Sequence, residues 1–150
     1  MNVDRGGYAE AVIRMMILMA RSRGEVRQSR LERSREMLSN TEPFRSLGLD
    51  RRSRIIAEQT LIVDFAGEQA VSSLPALVPL AADRERAIAA VQEVAGEVSE
   101  MSEATLRMLA RLREVLSLPP LTFSTPSLVP RGVPGAPRGT RAAEESVAGE

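Results

Sequence analysis

The sequence of 150 residues contains no cysteine and no histidine. The lack of cysteine excludes disulfides, iron–sulfur clusters and thiolate zinc sites formed within this chain. The lack of histidine removes Ser-His and Cys-His nucleophilic systems and the commonest metal ligand. Carboxylate pairs such as Glu97 with Glu100 remain as candidates for catalysis, but acids at a turn and a helix start more often complement the helix dipole. The residue inventory therefore predicts a protein that is not an enzyme and uses no cofactor.

Aromatic residues and long apolar runs are scarce as well, and the positive and negative charges balance. Aromatic residues make up 3% of the chain, and the formal net charge is +0 at pH 7. The balanced charge gives the chain no overall attraction to nucleic acid or to an anionic membrane. The apolar run over residues 8–20 is broken by Glu10 and Arg14 and is too short to span a bilayer. Because the first residues also lack the layout of a signal peptide, we expect a cytoplasmic protein without a membrane span.

The apolar content of 43% is enough for one small domain with a core. Residues 119–150 contain six of the nine prolines and show no periodic apolar pattern. We therefore predict one domain over residues 1–118, followed by a disordered tail rich in proline, glycine and arginine.

Residues 1–118 have the pattern of an all-α protein, because no segment alternates with a period of two. Residues 8–20 are apolar on nearly every side, which is typical of a central buried helix that ends near Gly24. A capping box at Ser29 predicts the start of a second helix. The remaining predicted helices are a third over 51–65 capped by Asp50, a short fourth over about 68–74 ending at Pro75, a fifth capped by Asp83, and a sixth over about 103–117.

Apolar residues at three- and four-residue spacing predict the buried face of each helix. The predicted inward residues are Leu31, Ser34, Met37 and Leu38 in the second helix; Ile55, Ile56, Leu61, Ile62 and Val63 in the third; Ala87, Ile88, Val91, Val94, Ala95 and Val98 in the fifth; and Leu109, Leu112, Val115 and Leu116 in the sixth.

The tripeptide Gly-Glu-Val occurs twice, at residues 24–26 and 96–98, each time between an apolar helix and a polar, capped one. This predicts a duplicated helix-turn-helix unit. Glycine at each turn allows a positive φ angle that stops the preceding helix. A simple tight connection between helices explains the spacing well and is the favoured interpretation of the motif.

These repeated motifs, "A-x-x-x-G-E-V" and "V-A-G-E-V-S-E-M-S-E-A-T-L", resemble the tellurite-resistance TerB-like family. The run "EAVIRMMILMARSRGEVRQSRLERSREML" is most similar to the helical C-terminal portion of uncharacterised bacterial proteins whose other portion is α/β-hydrolase-like. The resemblance covers roughly residues 8–118. It implies a compact bundle of six to seven helices, with the first and fifth at its centre and a short helix around residues 42–47. It also implies a link to tellurite and stress resistance.

The family pattern places an aspartate just before each turn glycine, where it looks like a divalent-metal ligand or a polar anchor. In this chain Arg23 and Ala95 occupy those two positions. Because calcium and magnesium need several converging oxygen ligands, we predict that the turns hold no metal.

A guanidinium could instead take the place of the cation between the two turns. We predict a binding cluster in which Arg23, with Arg21 nearby, faces Glu97 and Glu100, while Glu25 lies beside the first turn. The alternative is that both turns are solvated and never meet.

Three functions are compatible with these patterns. The first is a non-catalytic interaction domain that binds a protein partner or docks beside a hydrolase-like domain. The second is a TerB-like domain that senses a small ligand or a metal in stress resistance. The third is nucleic-acid or phosphate binding by the six arginines between Arg21 and Arg35, an interpretation disfavoured because no aromatic residue is interleaved for base stacking. The sequence does not determine the oligomeric state.

Overall fold

A computed structural model describes residues 2–24 and 28–120, and every regular element within those residues is helical. The helices are α1 (Tyr8–Arg23), α2 (Gln28–Asn40), α3 (Phe44–Ala66), α4 (Glu68–Ser72), α5 (Leu74–Leu77), α6 (Ala81–Ala95) and α7 (Glu103–Val115), with a 3₁₀ turn at Val98–Glu100 before α7. The prediction of an all-α bundle of six to seven helices is confirmed. The predicted tail lies outside the described residues from position 121 onward.

Helix α1 is the centre of the bundle and packs against α3, α5, α6 and α7. Its buried residues occupy all sides of its first turns, namely Ala11, Val12, Ile13, Arg14, Met15, Leu18 and Met19. Burial on all sides explains why this segment lacks a polar stripe. The predicted central position of the first helix is confirmed. The fifth predicted helix corresponds to α6, which packs on α1 and α2 with one face and exposes the other.

Helix α3 begins earlier than its predicted start at residue 51. It runs from Phe44 and is interrupted at Gly48, which has φ 81° and ψ 164°. Such a positive φ is strained for residues with a Cβ, so glycine permits the kink. The helical turn before Gly48 accounts for the short helix expected around residues 42–47. The predicted N-cap at Asp50 is wrong, because Asp50 lies within the helix that continues beyond the kink.

The buried face of α3 is narrower than predicted. Ile55 and Ile62 are buried, whereas Ile56 and Leu61 are 37% and 52% exposed. Residues seven apart lie on the same side of a helix, so Ile55 and Ile62 face α1 together. Ile56 and Leu61 are rotated away from that side, and their predicted inward position is wrong.

Two further predicted boundaries are corrected by backbone geometry. Pro75 does not end a helix but lies in the first turn of α5, where proline is well accommodated. Asp83 does not cap α6, because the helix begins at Ala81 and the backbone N–H of Asp83 already donates to the carbonyl of Leu80 at 3.1 Å. By contrast, the predicted start of the sixth helix at Glu103 is confirmed.

Most of the other predicted core residues are buried. Leu38, Ala87, Ile88, Val91, Val94, Ala95, Leu109, Leu112 and Leu116 are all buried, whereas Ser34, Met37, Val63, Val98 and Val115 are half-buried and Leu31 is exposed. The prediction of buried residues is therefore least accurate for α2, in which only one described residue is buried.

Arginine side chains join several of these elements through backbone carbonyl groups. Arg84 donates from Nε to the carbonyl of Val78 at 2.7 Å and from Nη1 to that of Leu116 at 3.2 Å. Arg52 donates from Nη1 to the carbonyls of Leu38 and Phe44, each at 3.1 Å. A guanidinium can bridge two carbonyl groups in this way because its donors are spread over a planar fork, whereas an ammonium is a compact point charge.

Candidate functional site

The two glycine turns have the backbone geometry that the sequence predicts. Gly24 ends α1 with φ 78° and ψ −14°, and Gly96 ends α6 with φ 97° and ψ −168°. Both φ angles are positive, so each glycine stops its helix in a conformation that other residues rarely adopt. The two connections differ beyond the glycine, because α2 begins at Gln28, whereas a 3₁₀ turn precedes the start of α7 at Glu103.

The ends of α1, α6 and α7 lie together. The Ser22 hydroxyl in the last turn of α1 is 3.3 Å from Oγ1 of Thr105 in the first turn of α7. Thr105 in turn contacts Ser102, whose hydroxyl oxygen accepts from the Thr105 backbone N–H at 3.2 Å. Arg23 lines a small cavity together with Val94 and Ala95 at the end of α6. The last turn of α1 therefore lies beside the first turn of α7 and the end of α6.

The predicted binding residues have different surroundings within this region. Arg21 forms an ion pair with Asp64 of α3, with Nη2 and Oδ1 3.1 Å apart. Arg23 is half-buried, and Glu97 and Glu100 are exposed beyond the end of α6. The pairing of Arg23 with these two glutamates stays a prediction.

Two further predictions bear on this region. Glu25 lies outside the described residues, so its position beside the first turn is untested. The described residues contain no group of three or more acidic side chains arranged to hold a metal ion.

Arg14 was not predicted as a structural or functional residue, yet its side chain is fully buried in the middle of α1. Its Nε donates to Oε1 of Gln59 at 2.7 Å, Nη1 donates to the Ser73 hydroxyl at 2.9 Å and to the Ala70 carbonyl at 3.1 Å, and Nη2 donates to the Val3 carbonyl at 2.7 Å. Burial lowers the pKa of this guanidinium, and the charges of Glu58 and Glu10 partly oppose that shift. The position of this arginine between Ile13 and Met15 could have indicated a buried hydrogen-bonded cluster, because a charge in an apolar helix needs hydrogen-bond partners.

Arg14 acts as a structural anchor rather than as a catalytic group. It joins α1, α3, α4 and the N-terminal segment through four hydrogen bonds. In each of them the guanidinium is the donor, because it has no hydrogen-bond acceptor. A guanidinium also stays protonated at any physiological pH, so it cannot serve as a general base.

Apolar side chains on the surface of α3 form a second region of interest. Ala57, Leu61 and Phe65 succeed one another at four-residue spacing and are all exposed, with Leu61 at 52% and Phe65 at 75%. We call these three residues the outer stripe. The sequence pattern did not separate it from the core, because α3 carries apolar residues on both its inner and its outer side.

Two ion pairs lie next to the outer stripe in sequence. Asp64, which pairs with Arg21, directly precedes Phe65, and Glu68, which pairs with Arg111 of α7, lies three residues after Phe65. Each acid is matched by an arginine of another helix. The two acids nearest Phe65 in sequence are therefore both paired with arginines.

Comparison with known proteins finds no family model, no curated protein and no solved structure that matches this chain. The resemblance to the TerB-like family thus stays a prediction. Among the described helices, none has the length and apolar character needed to cross a membrane.

Proposed function

We propose that this chain is a non-catalytic interaction domain that binds a protein partner through the outer stripe. The observation that carries the proposal is Phe65, which is 75% exposed in a chain with only 3% aromatic residues. Exposing such a ring costs solvation free energy and contributes nothing to the core. Aromatic residues are enriched among the residues that dominate binding energy at protein interfaces.

The partner that fits this surface presents an apolar helical stripe. The three residues of the outer stripe lie one above another on successive turns, which suits the side-by-side packing of a second helix. Because Asp64 and Glu68 are already paired with arginines, the surroundings of Phe65 favour neither a basic nor an acidic partner. Recognition is therefore expected to depend on apolar contact.

A hydrolase-like domain is the partner that the sequence resemblance suggests. In the proteins that this chain resembles, an α/β-hydrolase-like portion accompanies the helical portion. A helix on the surface of such a domain would cover the outer stripe. The same contact could form whether the hydrolase-like domain belongs to the same protein or to another one.

The proposal is tested by replacing both large residues of the outer stripe, Leu61→Ser and Phe65→Ser. The tagged double variant and the unchanged protein are expressed in the native host, and the co-purified proteins are quantified by mass spectrometry. Leu80→Ser is a matched control, because Leu80 is 65% exposed and lies at the start of α6, away from the stripe in sequence. We expect one partner to be lost at least about tenfold from the double variant and retained by the control.

The partner is then purified and mixed with each variant to establish direct binding. Equal co-purification with the double variant and with the control would contradict the proposal. So would a partner that binds the purified double variant as tightly as it binds the unchanged protein.

A further inference from the structure

A cavity of about 250 Å³ lies between the N-terminal segment and α3. Three arginines line it, Arg5 from the N-terminal segment and Arg51 and Arg54 from α3, together with Glu10 and Glu58. The volume is below the range of drug-sized ligand pockets, so a ligand that fits must be small.

The three arginines of this cavity belong, with Arg33 and Arg35, to the exposed arginines that form no ion pair within the described residues. Arg21, Arg45, Arg86, Arg107 and Arg111 each have a carboxylate oxygen within 4 Å. Within the described residues, no carboxylate lies that close to Arg5, Arg51 or Arg54. The lining carries three guanidinium groups against the two carboxylates of Glu10 and Glu58, so its charge remains favourable to an anion that binds among the arginines.

Hydrogen bonds from Arg14 of α1 and from Ser73 hold the N-terminal segment that carries Arg5. The carbonyl of Val3 accepts from Nη2 of the buried Arg14 at 2.7 Å and from the Ser73 hydroxyl at 3.1 Å. Gly6 comes next after Arg5 with φ +125°, and a Cβ at this position would lie 2.7 Å from Cγ of Glu10. The segment that carries Arg5 is therefore held at Val3 and passes close to Glu10 at Gly6.

The two acids of the cavity have different roles. Oε1 of Glu10 accepts from the backbone N–H of Gly7 at 2.8 Å and helps to hold the start of α1. Glu58 is exposed, and no described residue donates a hydrogen bond to it or forms an ion pair with it. A carboxylate is an acceptor only, so Glu58 is matched by a ligand group that donates, such as a hydroxyl.

We propose that this cavity binds a small phosphorylated sugar. Arg5, Arg51 and Arg54 donate to the phosphate oxygens, for which guanidinium groups have a matching planar fork of donors. Glu58 accepts a hydrogen bond from a sugar hydroxyl. This site goes beyond the docking function and does not depend on it.

The experiment is isothermal titration of the purified chain with inorganic phosphate and with glucose 6-phosphate at constant ionic strength. We expect saturable binding of both, with glucose 6-phosphate bound more tightly. The double variant Arg51→Gln/Arg54→Gln should weaken both ligands at least about tenfold. Both arginines are exposed, so the variant should keep the circular dichroism spectrum of the unchanged protein.

The matched control is Arg45→Gln/Arg107→Gln, which removes the same charge from exposed arginines outside the cavity. It should leave both affinities within about twofold, because long-range attraction is largely screened by salt. Glu58→Ala removes the acceptor and should weaken glucose 6-phosphate but not inorganic phosphate.

Three results would overturn the proposal. The first is the absence of saturable binding by either phosphate probe up to millimolar concentration. The second is equal weakening in the two double variants, which would indicate attraction by net charge alone. The third is tighter binding of a short single-stranded oligonucleotide than of glucose 6-phosphate, lost in the Arg51→Gln/Arg54→Gln variant, which would indicate a nucleic-acid site.

Discussion

The glycine turns and the outer stripe of α3 use residue types in opposite ways. Around the turns, polar residues such as Ser22 and Thr105 contact each other and join α1 to α7. On the outer stripe, the apolar residues Leu61 and Phe65 contact solvent instead of the core. The comparison teaches that polar side chains can join helices inside the bundle, while apolar side chains that the sequence predicts as core can lie on the surface.

The largest expected difference in stability comes from adding a carboxylate either to the central helix α1 or to the outer stripe. Ile13→Asp should abolish folding, because Ile13 is 2% exposed in the central helix and the new carboxylate would have no partner. Ile17→Asp should be strongly destabilising but less so, since Ile17 is half-buried. Phe65→Asp adds the same charge to the outer stripe and should leave the fold intact.

Circular dichroism and thermal melting distinguish these three variants. Native helicity and melting in Ile13→Asp would show that α1 is not the buried centre of the bundle. Unfolding of Phe65→Asp would show that the outer stripe is part of the core.

A smaller effect is expected from the two turn glycines, and the two should differ. Gly96→Ala should cost about 1–3 kcal/mol, because φ 97° and ψ −168° lie in a region that is essentially restricted to glycine. Gly24→Ala should cost about 1 kcal/mol, since φ 78° and ψ −14° are left-handed helical and a Cβ there would meet no atom within 4 Å.

Chemical denaturation measures both free energies of unfolding. Gly24→Asn serves as the control, because asparagine tolerates the left-handed conformation better than alanine. Equal costs for Gly24→Ala and Gly96→Ala would contradict the difference between the two turns.

Still smaller changes in stability should result from removing the hydroxyl contact between α1 and α7. Ser22→Ala and Thr105→Val should each lower the free energy of unfolding by about 1 kcal/mol, because each removes a hydrogen-bonding group from the contact between the half-buried Ser22 and the buried Thr105. The double variant should be less destabilised than the sum of the two single variants. Strict additivity would mean that the two hydroxyls do not interact and that the turns are not joined there.

The smallest effect on stability is expected on the outer stripe itself. Leu61→Ser and Phe65→Ser together should change the free energy of unfolding by less than about 0.5 kcal/mol, since both side chains are more exposed than buried. The matched core change is Leu109→Ala in α7, which is fully buried and should cost about 2–5 kcal/mol. A loss of stability in the Leu61→Ser/Phe65→Ser variant as large as that in Leu109→Ala would place the stripe inside the bundle.

The sequence predicts the fold class well because helical spacing and turn glycines are local signals. The central helix, the positive φ angles at Gly24 and Gly96 and the start of α7 are all confirmed. Boundaries fail where tertiary contacts decide them. Asp50 looks like an N-cap, but the kink at Gly48 lets the helix start earlier, and Pro75 starts a helix rather than ending one.

The surface regions were harder to predict than the fold. Leu61 and Ile62 are adjacent and equally apolar, and only the packing of α3 on α1 determines which of them is buried. The cluster around Arg14 was missed for a related reason. Its partners lie 45 to 59 residues further along the chain or in the N-terminal segment, so no local pattern indicates them.

The most direct test of the outer stripe as a binding surface is site-specific photo-cross-linking in the native host. The photoreactive residue p-benzoylphenylalanine is placed at position 65 and, as the matched exposed control, at position 80. We predict a discrete cross-linked protein from position 65 that is absent from position 80 and disappears when Leu61→Ser is added. The same cross-linked products from both positions, or no product from position 65, would contradict the proposed interaction function.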